Sequence, residues 1–150
     1  MKKNNEKYNA AFDLINRNLK FYSNKAAFID DNEKVISYQE LSCKVQNTAS
    51  NLQKVGFNKK DKVIICLVDS INYPISFLGA IWGGIIPICI NTMLPEKDLK
   101  YMLEDSQAKG VICSEQVMNF FLEYKQTKKN DLIVIQDTKT GIKKKILYII

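Results

Sequence analysis

Four short runs of β-branched, largely uncharged residues recur along this chain from residue 63 onward, spaced by stretches of helical length. They are Val63-Ile64-Ile65-Cys66-Leu67, Ile86–Ile90, Gly110–Cys113 and Asp131–Ile135. The first is apolar at every position rather than at alternate ones, which predicts a strand covered on both faces. The second repeats that character, and the third repeats it more briefly. Between them, residues 72–82 and 95–106 predict helices, and Ser114 predicts the cap of a further helix running to about Lys125. Pro95 suits a first helical turn, and Glu96 and Asp98 then lie beside that helix's positive end. Strands alternating with helices of this length restrict the fold to the α/β class, with a mostly parallel sheet and helices on both faces.

The first sixty residues predict a smaller, different unit. Ala10, Ala11, Leu14, Ile15 and Leu19 form the apolar stripe of an amphipathic helix over 9–21. Ala26–Asp30 and Lys34–Ser37 flank Asp31-Asn32-Glu33 and predict a small N-terminal β-hairpin. Ser37-Tyr38-Gln39-Glu40 is a capping box, in which serine and glutamate each satisfy the other's backbone amide. The helix it opens carries Leu41, Val45, Ala49 and Leu52 on one face and stops before Gly56, a left-handed cap, ahead of a polar turn at 58–61. At 150 residues the length suits one domain. The tail from Thr138 is basic at Lys143-Lys144-Lys145 and apolar over Ile146–Ile150, and does not read as a finished domain end. No internal repeat or low-complexity linker interrupts the chain.

The residues that usually carry chemistry are sparse. There is no histidine, which removes the commonest general base and metal ligand together. Cys43, Cys66, Cys89 and Cys113 lack the close pairing of zinc or redox sites. Three of them fall in successive predicted strands and are expected as small buried hydrophobes, reduced in a cytoplasmic protein. Asp30-Asp31 falls in a turn and Glu104-Asp105 at a helix end, where adjacent side chains diverge, so both pairs are expected in solvent. Asp69-Ser70 follows a strand and precedes a helix, where α/β folds bind ligands, but also where a helix needs its cap. The cap is the expectation. No phosphate-binding loop, dinucleotide turn or nucleophile elbow is present.

The charge balance also excludes partners. Net charge is +6, yet of 22 basic residues all but Arg17 are lysine, scattered in pairs such as Lys2-Lys3, Lys59-Lys60 and Lys128-Lys129. Nucleic-acid readout favours arginine forks and interleaved aromatic platforms, so no nucleic-acid partner is expected. Met1–Lys7 has no apolar segment after it and predicts no secretory signal. Tyr73–Ile90 contains 18 residues without a charge, enough for a membrane span. Pro74, Ser76, Gly83-Gly84 and Pro87 instead predict a short helix, a turn and a strand. A membrane anchor over 73–90 remains the competing reading at this point.

One ordered series of segments carries a family resemblance. Its parts are Asp61-Lys-Val-Ile-Ile-Cys-Leu, Phe77-Leu-Gly-Ala-Ile-Trp-Gly-Gly-Ile-Ile-Pro-Ile, Asn91-Thr-Met-Leu and Leu99-Lys-Tyr-Met-Leu-Glu-Asp-Ser106. The series resembles the N-terminal region of the AMP-forming acyl-CoA synthetases, in the adenylate-forming ligase superfamily, over about residues 8–135. Ser37–Leu41 and Ala49–Gly56 match the preceding helix. Tyr8–Asn18 and Phe28-Ile-Asp-Asp31 are similar to the benzoate–CoA ligase branch. The resemblance implies that residues 1–150 form a partial N-terminal domain of that ligase fold, with 136–150 a poorly defined tail.

It also implies a two-step reaction. A carboxylate and Mg-ATP give an acyl-adenylate and pyrophosphate, and the thiol of coenzyme A then displaces AMP. In the family the chemistry belongs to a Ser/Thr/Gly-rich loop ending in lysine, a Thr-Glu pair, a ribose-binding aspartate and a lysine on a mobile C-terminal domain. None has a counterpart here. No catalytic, cofactor-binding or metal-binding residue is therefore carried over, and ATP, Mg2+ and coenzyme A are expected not to bind this chain by itself. Gly79, Gly83 and Gly84 are expected to allow close packing and tight turns, and Pro87 to lie at a strand margin. The expected function is that of a truncated or split acyl-CoA ligase, inactive alone, its partner the remainder of the ligase. The alternative is a binding module docked on a polypeptide that supplies the missing motifs.

Overall fold

A computed structural model describes residues 8–31 and 33–137. The expectations for Met1–Lys7, for Asn32 in the hairpin connection and for the tail from Thr138 lie outside the described residues.

The elements follow the predicted alternation. Helix α1 (Ala10–Tyr22) precedes the hairpin strands β1 (Ala26–Ile29) and β2 (Val35–Ser37), then α2 (Tyr38–Lys54). After these come β3 (Lys62–Cys66), α3 (Asn72–Trp82), β4 (Ile86–Cys89), α4 (Glu96–Ser106), β5 (Gly110–Cys113), α5 (Glu115–Lys128) and β6 (Ile133–Gln136). The hairpin is antiparallel, with Ile29 opposite Val35. The other four strands form a parallel sheet in the order β4-β3-β5-β6.

Burial of the sheet's two faces fixes the layers. On one face Ile64, Cys66, Val111, Cys113 and Val134 pack with Leu99 and Leu103 of α4 and Val117 and Phe121 of α5. On the other, Val63, Ile65, Ile112 and Ile135 pack with Leu52 of α2, Ala80 of α3 and Phe57. A third cluster joins Ala11 and Ile15 of α1 and Ile36 of β2 to Leu41 and Val45 of α2 and Ile75 and Leu78 of α3. In α1 the apolar stripe narrows to Ala11 and Ile15, with Leu19 half-buried, because Ala10 and Leu14 point to solvent.

Helix ends account for the local geometry. Ser37 and Glu40 form the full capping box, and Gly56 follows α2 at φ +108°, the left-handed conformation the sequence suggests. Asn9 caps α1 through Phe12 N–H, and its own amide donates to the Ile81 and Trp82 carbonyls at the end of α3. One asparagine thus ties the start of α1 to the end of α3. Helices α2 and α3 touch because Gly79 has no side chain: a Cβ there would lie 2.6 Å from Thr48 Cγ2 and 3.3 Å from the Val45 carbonyl oxygen. Gly84 supplies the turn before β4 at φ +75°. Gly83 needs neither property, since it ends α3 at φ −73° with nothing closer than 3.5 Å to where a Cβ would be.

Two expectations are corrected here. Strand β4 is an edge rather than a doubly covered strand, with Ile86 47% exposed. Cys89 is exposed for the same reason, so only Cys66 and Cys113 are the buried thiols expected. An apolar run records burial of side chains against something, not the presence of a strand on each side. Pro87 fits this edge. Ile86 and Ile90 donate to Asp61 and Ile65 carbonyls, so by alternation Pro87 turns its donor-less nitrogen away from β3. Residues 73–90 fold as helix, turn and strand, and no helix among the described residues is long and apolar enough to cross a membrane. The membrane-anchor reading of that segment has no spanning helix to rest on.

Candidate functional site

In a parallel sheet of this order the chain leaves β3 toward β4 on one side and returns to β5 on the other. The crevice beyond the carboxyl ends of β3 and β5 is then the place where open α/β sheets hold ligands. Here the protein's own bonds close it. Val68 N–H donates to Ser114 Oγ at 2.9 Å, and Ser114 N–H donates to the Cys66 carbonyl at 3.0 Å. Beside them Asn72 Nδ2 donates to Asp137 Oδ1 at 2.8 Å, and Asp137 N–H donates to the Cys113 carbonyl at 2.9 Å.

These contacts correct two cap assignments. Ser114 stands at the N-cap of α5, but its hydroxyl makes no capping bond because it accepts from Val68 across the strands. Asp69-Ser70 does not cap α3 either, since Ile71 occupies that position without a side-chain bond. Both residues instead face a cavity of about 600 Å³, shared with Phe28, Ile29, Asp30 and Asp31 of the hairpin and with Tyr73 and Pro74 of α3. Asp31 is exposed, as expected, and Asp30 is half-buried, and both line the same hollow as the exposed Asp69. No local pattern could reveal this, because the hairpin reaches the β3–α3 loop only once α1 and α2 have packed on α3. Glu104 and Asp105 do diverge, with Glu104 turned to Lys128 at 3.4 Å on α5.

The protonation states around this edge are those of a scaffold. Burial pushes the Cys66 thiol up to about 11. Burial, with Cys66 and Asp137 nearby, pushes Cys113 up to about 12. Burial, then the bond to Cys89, raises the Tyr73 phenol to about 12. All three stay protonated near neutrality, which leaves no activated nucleophile or base among them. Ser70 Oγ is buried without a hydrogen-bond partner among the described residues, and the sequence has no imidazole to activate it.

Among the described residues, the lining of the hollow includes Asp30, Asp31 and Asp69 and no lysine or arginine to grip a phosphate. Among the described residues no group of three or more Cys, Asp or Glu could hold a metal ion.

Four parallel strands with helices on both faces, and a switch point between β3 and β5, define an open α/β fold. The profile of the AMP-binding enzyme family matches residues 15–149. The chain belongs to that family. It is 44% identical over 118 residues to the benzoate–CoA ligase of Thauera aromatica, covering 77% of this chain and 22% of that protein. It is 36% identical over 112 residues to the 4-hydroxybenzoate–CoA/benzoate–CoA ligase of Rhodopseudomonas palustris, covering 74% of this chain and 21% of the relative. The fold superposes on a benzoate CoA ligase from Burkholderia xenovorans LB400 with a TM-score of 0.79 and 27% identity, over 90% of this chain and 27% of that one. The chain thus corresponds to the N-terminal part of such ligases and spans about a fifth of the length of these curated relatives.

Proposed function

We propose that these residues are the N-terminal scaffold of an AMP-forming ligase that joins an aromatic carboxylate to coenzyme A, with ATP converted to AMP and pyrophosphate. The observation that carries this reading is the 44% identity to a benzoate–CoA ligase. The identity of 36% to a second ligase named for benzoates supports the aromatic class of acid. Residues 1–150 form one partial domain of that enzyme and supply its first sheet layer rather than its chemistry. The thiols of Cys66 and Cys113, held protonated by burial, support this division of labour. ATP, Mg2+ and coenzyme A are then held by ligase sequence outside these residues. A cytoplasmic location goes with the reading, in which Cys66 and Cys113 serve as small buried thiols.

The test is carboxylate-dependent ATP–pyrophosphate exchange. The 150-residue chain alone should show none with benzoate, 4-hydroxybenzoate or a long-chain fatty acid. Supplied with the complementary segment of the Thauera aromatica ligase, it should support exchange with benzoates. Exchange by the pure chain would refute the scaffold role, and a preference for the fatty acid after complementation would refute the aromatic class.

A further inference from the structure

The lysines are scattered along the sequence, but the fold collects several of them at one end. In a parallel sheet every strand starts at the same pole, and the helices that lead into the strands finish there. Here α2, α3, α4 and α5 end beside the starts of β3, β4, β5 and β6. Exposed Lys54, Lys59 and Lys60 lie where α2 gives way to β3, and exposed Lys128 and Lys129 where α5 gives way to β6. The opposite pole carries the aspartates that line the hollow, and Asp137. Local structure accounts for part of the basic set. Lys54 and Lys128 stand in last helical turns, where a cation complements the helix end. Lys62 Nζ donates to the Ser106 carbonyl, and Lys109 Nζ donates to the Gly56 carbonyl and to Asp61 Oδ2 at 2.6 Å. Lys128 meets Glu104, while Asp105 and Asp131 are the exposed acids of this pole. Lys59 and Lys60 serve no helix end and pair with no carboxylate among the described residues.

An aromatic cluster adjoins these two lysines. Lys60 N–H donates to the Gly84 carbonyl at 2.8 Å, two residues beyond Trp82, the chain's only tryptophan. The Trp82 ring packs on Phe12 with centroids 5.3 Å apart. Asn9 holds Tyr8 to the same place through its bonds to the Ile81 and Trp82 carbonyls. Tyr8 is 78% and Phe12 54% exposed, and the exposed Ile86 donates to the Asp61 carbonyl beside Lys60. We infer that this pole docks on an anionic phospholipid surface, with Lys59 and Lys60 at the headgroup charges and Tyr8, Phe12 and Trp82 in the interfacial layer. Flexible lysines suit a fluid array of headgroup charges, whereas nucleic acid and fixed protein carboxylates favour arginine forks. Exposed aromatic rings settle at the boundary between headgroups and hydrocarbon. Contact of this kind is peripheral and needs no spanning helix. It is also independent of the ligase reading, since it uses only the surface of this chain.

The experiment is flotation of the full 150-residue chain with vesicles of phosphatidylcholine alone, or with about one-third phosphatidylserine, at low and high salt. The chain should float only with the serine-containing vesicles, and high salt should release it. Emission from Trp82 should then shift to the blue and be quenched by brominated acyl chains, because that ring reports on the docking face itself. Lys59→Glu combined with Lys60→Glu should weaken binding about tenfold or more. Lys34→Glu combined with Lys97→Glu makes the same charge change at the opposite pole and should leave binding nearly unchanged. Absence of flotation, equal flotation with both vesicle types, or Trp82 emission that ignores the vesicles would overturn the assignment. Binding that survives the Lys59 and Lys60 changes places it elsewhere on the chain and overturns it equally. So does salt-sensitive binding to duplex DNA or to polyglutamate by a chain that does not float with vesicles.

Discussion

Ser37 and Glu40 show how much one short motif decides. The Ser37 hydroxyl accepts from Glu40 N–H at 3.2 Å, and the Glu40 carboxylate accepts from Ser37 N–H at 2.8 Å and from its hydroxyl at 3.0 Å. The Ser37 backbone bond, then its side-chain bond, holds the Glu40 carboxyl below its ordinary 4.5. A depressed folded value means the contribution is complete above the ordinary value and disappears as pH falls through the lower one. Ser37→Ala should cost about 1 kcal/mol in urea denaturation at pH 7. The same substitution should cost less at a pH below the folded value of Glu40, and an equal loss at both pH values would contradict the motif's role. The thiols make a second residue-scale case. Cys43 and Cys89 are exposed whereas Cys66 and Cys113 are buried with raised values. A disulfide reagent at pH 8 should label two thiols quickly and the other two only after unfolding. Because the folded values are raised above 9.0, these two groups add stability below that pH and lose it as pH rises toward 11–12. The capping box was legible from four adjacent residues. The exposure of Cys89 was not, because it depends on β4 being at the sheet's edge.

At the scale of elements, contacts between them decide what local propensity leaves open. Gly79→Ala would drive a methyl into Thr48 and should cost about 1–3 kcal/mol through separation of α2 and α3. In a chain of this size that corresponds to a fall in Tm of roughly 2–4 °C per kcal/mol. Gly83→Ala should leave Tm nearly unchanged, and an equal loss at both positions would contradict the close approach at Gly79. Ser114→Ala tests the bond between the loops after β3 and β5. It should speed exchange of the Val68 amide and leave the first turn of α5 unaltered, at a cost of about 1 kcal/mol. Fraying of α5 instead would restore the capping role that the sequence suggests. Strands and helices were readable because their apolar periods are local. Where the Ser114 hydroxyl points was not, since a partner 46 residues away competes with the helix amides.

For the molecule as a whole, burial sets a gradient of stability. Strands β3 and β5 are central and almost wholly buried, while β1 leaves Ile29 largely exposed and Phe28 partly so. Native-state hydrogen exchange should therefore be slowest at Ile64, Ile65, Val111 and Ile112 and fastest in the hairpin. Comparable protection in the two regions would show that the hairpin has a partner. The amino-acid sequence by itself determined the α/β class, nearly all element positions and the family, because hydrophobic period, capping residues and ordered motifs are written within short windows. Only the tertiary structure decided the strand order β4-β3-β5-β6, which apolar runs are edges, and that the hairpin and the β3–α3 loop line one hollow. The physical reason is the same in each case. An apolar run states that a strand will be covered, but the identity of its neighbours depends on how distant segments close around it.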